Sequence, residues 1–383
     1  MRRTLLLAAL AAALLLWFAQ ASFLIPLVSD VPEFFVSNYG VREESPDHPR
    51  LKSLRAAEKL DAVVAPGGSQ FGKTVLLRGW ARSRWEHPDG RFIYPPWDAA
   101  EILRLARGGN RGFCAQYAVV FLQAALSLGL HARYIDLPGH FLTAVWSDEH
   151  HKWAVMDPYL DLHYERGGVP LSGMDMHLAA VRGPAAGIEA VSSTGERRPL
   201  KTEELSAWSA YSILLRNDHL SEPVKVLAGG EPRALAVSGG ESSYPVIGRD
   251  TLAIADLFLA FGESGRMRWK DRLFTLDDDD FRRDMNSTLL FWTESAREPG
   301  TVKVLLKAEN SPGFSAFLVK TEGTDWEPSP EKFALRLSPG VNEISARILT
   351  RRGWTGRPSS LKFFYKPAWI LRLRRGPALP GSV

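Results

Sequence analysis

The chain has one cysteine, Cys114, and it stands where a thiol can do chemistry. It follows the glycine-rich break Gly108-Gly109-Asn110-Arg111-Gly112. Beyond it Ala118, Phe121, Leu122, Ala125 and Leu128 recur at helical spacing, and Gly129 supplies a stop. A helix N-terminus presents unpaired N–H groups and partial positive charge, and both favour thiolate over thiol. The N–H of Cys114 is a candidate oxyanion donor, and Gly112 lets a carbonyl approach the backbone. A thiolate that attacks a carbonyl needs a proton carrier. His140, after Pro138-Gly139 at the entry to a strand, fits that role. Asp157, at the end of the next strand and before Pro158, is placed to fix the imidazole tautomer and support its positive charge.

Taken singly, each residue has a plainer reading. A cysteine at the start of an apolar helix is often a small core residue. A histidine beside glycine is usually structural or exposed, and an Asp-Pro after a strand is usually a turn former. The order cysteine, histidine, aspartate on a helix, a strand and a strand, within one short stretch, favours chemistry.

Those elements need a frame. The spacing predicts helices over 51–64 and 73–85, the second carrying Val75, Leu76, Trp80 and Trp85 on its apolar positions. His87-Pro88-Asp89-Gly90 reads as a turn, and Asp98 caps a helix through Arg107. After the cysteine helix come three β-like runs over 132–137, 141–147 and 153–156, the last two joined by a turn at 148–152. Residues 183–248 read as an irregular linker with one helix over 202–216. From 249 to 367 the pattern becomes short alternating runs split by turns. The clearest lie over 301–306, 315–319, 333–337, 341–348 and 361–365, as in a β-sandwich of immunoglobulin or fibronectin type.

Four blocks of sequence then resemble the transglutaminase-like superfamily. They are Gly112-Phe113-Cys114-Ala115-Gln116-Tyr117-Ala118, Leu128-Gly129-Leu130-His131-Ala132-Arg133-Tyr134, Gly139-His140 with Val145-Trp146, and Lys152-Trp153-Ala154-Val155-Met156-Asp157-Pro158. The resemblance covers roughly residues 73–159. It implies an α+β chain with a papain-like core, a helix against an antiparallel sheet, followed by the all-β sandwich. It implies Cys114 as nucleophile, His140 as base and Asp157 as orienting residue. The activity implied is acyl transfer on an amide or peptide carbonyl through a thioester, ending in hydrolysis or transamidation. The alternative is an inactive scaffold, or a protein that binds a cell-envelope component. In the animal enzymes a tryptophan upstream of the cysteine helps stabilise the oxyanion. Trp80 and Trp85 are the candidates here, with Gly112 as support.

The rest of the chain bounds the setting. It has 383 residues, 45% hydrophobic and 23% charged, enough for two domains with sizeable cores. A net charge of +4, not gathered into one basic run, gives no case for a nucleic-acid partner. Arg2 and Arg3, the apolar run from Leu5 to Ala19, and Ala19-Gln20-Ala21 form an export signal. The apolar stretch continues to Val28, so an uncleaved anchor is the other reading of residues 1–28. Either way the protein is expected outside the cytoplasm, periplasmic or extracellular, and membrane-associated if the signal is retained. The catalytic domain is then drawn over 29–182 and a basic, apolar tail over 368–383. A protein or peptide substrate is the expected partner, and no cofactor or metal is called for. His150-His151 lacks zinc spacing, and Asp277 to Asp280 lacks the spaced ligands and glycine of a calcium loop, so both read as solvated turns.

Overall fold

The structure, a computed structural model, describes residues 21–31, 39–86, 97–109, 112–183, 186–221, 225–228, 231–234, 258–261 and 273–368. The export run at 1–20, the turn at 87–90 and the tail beyond 368 lie outside these residues. The fold is α+β, with several mostly antiparallel sheets. The chain divides into two compact units, one of residues 35–285 with 352–354, the other of 1–34, 286–351 and 355–383.

In the first unit, helices Pro49–Ala57, Leu60–Val64, Gln70–Arg82, Ala99–Arg107 and Cys114–Ser127 share one core. The 51–64 pattern is broken in two because Lys59 takes a left-handed φ of 50°; Leu51, Leu54, Leu60 and Val64 still reach that core. The second predicted helix starts earlier than its apolar residues suggested. Ser69 is the cap, its hydroxyl accepting from Gly72 N at 3.1 Å. Asp98 caps its helix as predicted, accepting from Ala100 N and Glu101 N.

The cysteine helix is buried from Ala115 through Ser127. It packs on a six-stranded sheet ordered Leu273–Thr275, Phe258–Phe261, Ser212–Leu214, Ala132–Leu137, His140–Ser147, Lys152–Met156. Side chains alternate across a strand. Ala132 and Tyr134 therefore join the core under the cysteine helix, while Ile135 and Leu137 join a second core on the opposite face.

Residues 183–221 are not a linker. Ile188–Ser192 and Arg197–Pro199 form a four-stranded sheet with Leu162–Arg166 and Val169–Pro170. The helix predicted over 202–216 ends at Ser206. It passes through a 3-10 turn at Ala207–Ser209 and becomes the strand Ser212–Leu214, paired with Ala132–Leu137. Trp208, Tyr211, Ile213 and Leu215 are all buried in the second core. That burial, at about 2 kcal/mol for each large side chain, outweighs helix propensity of a few tenths per residue. The unit holding the cysteine helix thus runs on to Met285 rather than stopping at 182.

The second unit is two sheets around one core. Five strands, in the order Phe23–Asp30, Ser359–Lys366, Gly340–Thr350, Phe314–Thr321, Glu327–Ser329, face the three strands Ser287–Glu294, Thr301–Glu309 and Lys332–Arg336. Residues 23–28, assigned above to the export segment, lie in an edge strand here. Pro26 sits at an irregularity of its register, where a missing N–H does least harm.

Candidate active site

The Pro138-Gly139 corner sets the position of His140. Gly139 has φ +77°, the sign a type II turn requires after proline, and Leu137 pairs with His140 directly across it. His140 is therefore the first residue of its strand and stands at the sheet's end. Asp157 comes directly after the neighbouring strand, whose Met156 pairs with Thr143 and accepts from the Thr143 hydroxyl at 2.7 Å.

His140 Nε2 donates to Asp157 Oδ2 at 2.6 Å. Nδ1 is the ring nitrogen that Asp157 does not take, and Cys114 acts on the same ring. Asp157 is wholly buried, and its other oxygen, Oδ1, accepts from Tyr159 N and Leu160 N at 3.0 Å each. One oxygen forms the turn and the other holds the histidine. Burial alone would lower the His140 pKa. The charge and hydrogen bond of Asp157, with Cys114, outweigh it and raise the pKa to about 10. At neutral pH the ring is imidazolium.

Cys114 is the first helical residue and is half-buried. Phe113 is the extended cap. Its carbonyl accepts from Gln116 N and Tyr117 N, and its N–H donates to Gln116 Oε1 at 2.9 Å. The N–H groups of Cys114 and Ala115 have no carbonyl partner within the helix. Gly112 is required by packing, since a Cβ there would lie 2.5 Å from the Gln116 Cβ.

The two tryptophan candidates separate. The Trp85 indole N–H donates to the Gly112 carbonyl at 3.1 Å, so it braces the turn before Cys114 instead of pointing a free donor into the cleft. Its ring stacks on Tyr117 at 4.2 Å, and the Tyr117 hydroxyl donates back to the Trp85 carbonyl at 2.7 Å. Trp80 lies in the first core with the Arg84 guanidinium 5.1 Å from its ring centre.

Two residues near the site, Tyr159 and Arg78, were not singled out from sequence. The Tyr159 ring lies 5.9 Å from His140 and 5.6 Å from Tyr117. Arg78 is wholly buried, and its charge acts on Asp157. Its Nε donates to Asp161 at 2.9 Å, and its Nη1 donates to Nδ1 of His163 at 2.7 Å. The one available signal was an arginine on the inner face of an otherwise apolar helical pattern. The aspartates at 277–279 gather within 4.8 Å of one another. Asp278 and Asp279 pair with Arg282 there, and Asp277 accepts from the Asp279 N–H.

No family model matches the chain, and no curated protein sequence does. A crystal structure of red sea bream transglutaminase is similar at a TM-score of 0.22 and 11% identity, over 91% of this chain and 77% of that one. A likeness of that size carries no argument about fold or activity, so the functional case stands on the site's own geometry.

Proposed function

We propose that the protein is a cysteine-dependent acyl-transfer enzyme that acts on an amide or peptide carbonyl. The observation that supports this reading is the His140 ring, hydrogen-bonded to a buried, fully satisfied Asp157 and acted on by Cys114 at the start of its helix. The Cys114 sulfur, whose proton the His140 imidazolium already holds, attacks the carbonyl carbon. The resulting oxyanion takes the Cys114 N–H. The His140 imidazolium protonates the leaving amine as the C–N bond breaks, and a thioester remains. Water, or an amine, then attacks that thioester while His140 accepts its proton, and the thiol is regenerated. Hydrolysis is the favoured outcome, because water is always present and no residue marks an amine site. Asp157 touches no reacting atom; it is a positioning residue, fixing the tautomer that leaves Nδ1 toward sulfur.

The test is alkylation of Cys114 by iodoacetamide at neutral pH. Labelling at least tenfold faster than a peptide thiol, and lost in His140→Ala, supports the reading. Labelling at the peptide rate in both proteins overturns it and leaves an inert, structural cysteine.

A further inference from the structure

The central sheet carries a second built site on the face away from the cysteine helix. Arg133 falls between Ala132 and Tyr134 of the first core, so its side chain points to the other face. There it lines a cavity of about 290 Å³. It is 2% exposed. One nitrogen, Nη2, donates to the Phe281 carbonyl at 2.7 Å, and the guanidinium lies 4.3 Å from the Trp153 ring centre. Apart from the neighbouring Tyr211 hydroxyl, its Nε and Nη1 meet no hydrogen-bond acceptor among the described residues. The Tyr211 hydroxyl lines the same cavity, buried beside the Arg133 guanidinium, with which it interacts, and it has no other partner among the described residues. The Tyr211 ring is pressed on Gly173, where a Cβ would come within 2.5 Å, so the hydroxyl is held in place.

The other charges at the cavity are already engaged. Lys152 pairs with Asp175, which also accepts from Ser172 N and its hydroxyl. Arg282 pairs with Asp278. His151 and Asp284 stand in the wall. Glu43 acts on Arg133 through space without bonding to it, and Arg283 opposes that effect. One buried positive charge is therefore left without a hydrogen-bonded counter-charge, an arrangement that costs several kcal/mol unless something answers it.

We propose that this cavity binds a small organic monocarboxylate. Its oxygens accept from the Arg133 guanidinium and the Tyr211 hydroxyl, and its apolar part lies against Trp153, Met174 and Phe281. A single negative charge matches the single unanswered guanidinium. A phosphate dianion would bring a second charge with no partner. The aromatic wall suits a carbon skeleton better than a hydrated inorganic ion.

Calorimetric titration of the full chain with benzoate tests this, with orthophosphate as competitor. The expected result is saturable one-site binding of benzoate, unaffected by orthophosphate, weakened at least tenfold in Arg133→Gln and severalfold in Tyr211→Phe. No saturable benzoate binding overturns the proposal. So does orthophosphate binding equally tightly, or an unchanged Kd in Arg133→Gln. Should that variant fail to fold, Tyr211→Phe decides, and an unchanged Kd there overturns it.

Discussion

Nη1 of Arg78 and Nδ1 of His163 lie 2.7 Å apart, both buried, and the pair is stable only while the imidazole is neutral. Nδ1 accepts from the guanidinium, and Nε2–H donates to Glu165 at 2.8 Å. Burial, and then the Arg78 charge, lower the His163 pKa to about 4. An unfolded histidine titrates near 6.5. Between those values the unfolded chain binds a proton that the folded one refuses. The contribution is present in full above about pH 6.5 and lost as pH falls from there through 4, at up to about 1.4 kcal/mol per pH unit. His219, buried with neither ring nitrogen bonded among the described residues, is lowered to about 3 and adds to the same slope. Urea midpoints at pH 7, 5.5 and 4.5 should fall steeply in the wild type and less steeply in His163→Asn. Equal slopes would show that this pair does not set the acid sensitivity.

His140 has the opposite sign. Its folded pKa of about 10 exceeds the unfolded value, so its contribution is complete below about 6.5 and lost as pH rises through 10. Asp157→Asn removes the charge that holds the proton. It also sets an amide N–H₂ against Nε2, which then accepts, and Nδ1 takes the hydrogen and can no longer receive one from sulfur. Ring NMR of His140 should show its transition near pH 10 in the wild type and several units lower in Asp157→Asn. Iodoacetamide labelling of Cys114 should slow at least tenfold in the variant. A transition that stays in place would mean that Asp157 is only a turn former.

What the sequence made legible follows from the range of each signal. Cys114, His140 and Asp157 are set by a cap, a Pro-Gly corner and a strand end, all local devices, and the sequence reading and the structure agree on those elements to within a residue or two. The Arg78–His163 contact joins residues far apart in the chain, and no spacing rule reaches that far. The strand Ser212–Leu214 was hidden for a related reason. Glu203, Glu204 and Leu205 begin a good helix, and only the buried places waiting for Trp208 and Tyr211 end it at Ser206. Trp85 was noticed for the wrong partner, since sequence shows an indole upstream of the cysteine but not the Gly112 carbonyl it faces.

Gly112 offers a steric test. A Cβ there would meet the Gln116 side chain at 2.5 Å and push its Oε1 away from the Phe113 N–H. Gly112→Ala should cost about 1–3 kcal/mol through overpacking. It should slow Cys114 labelling as well, because Gln116 and the start of its helix move together. A variant as stable and reactive as the wild type would show that the loop yields without disturbing Cys114.

Trp85→Phe separates bracing from bulk. Phenylalanine keeps an aromatic ring against Tyr117 and loses only the N–H that holds the Gly112 carbonyl. A buried hydrogen bond lost with its acceptor left behind costs about 1–3 kcal/mol. If Trp85 acts by fixing the turn, Trp85→Phe and Gly112→Ala perturb the same local geometry. Their combined effect on the Cys114 labelling rate should then fall short of the sum of the two in free energy. If Trp85 instead stabilised the oxyanion directly, Trp85→Phe would slow turnover of an amide substrate while leaving the labelling rate untouched, since alkylation forms no oxyanion. Measuring both rates on the single and double variants distinguishes the roles. Full additivity in labelling would remove Trp85 from the support of Cys114.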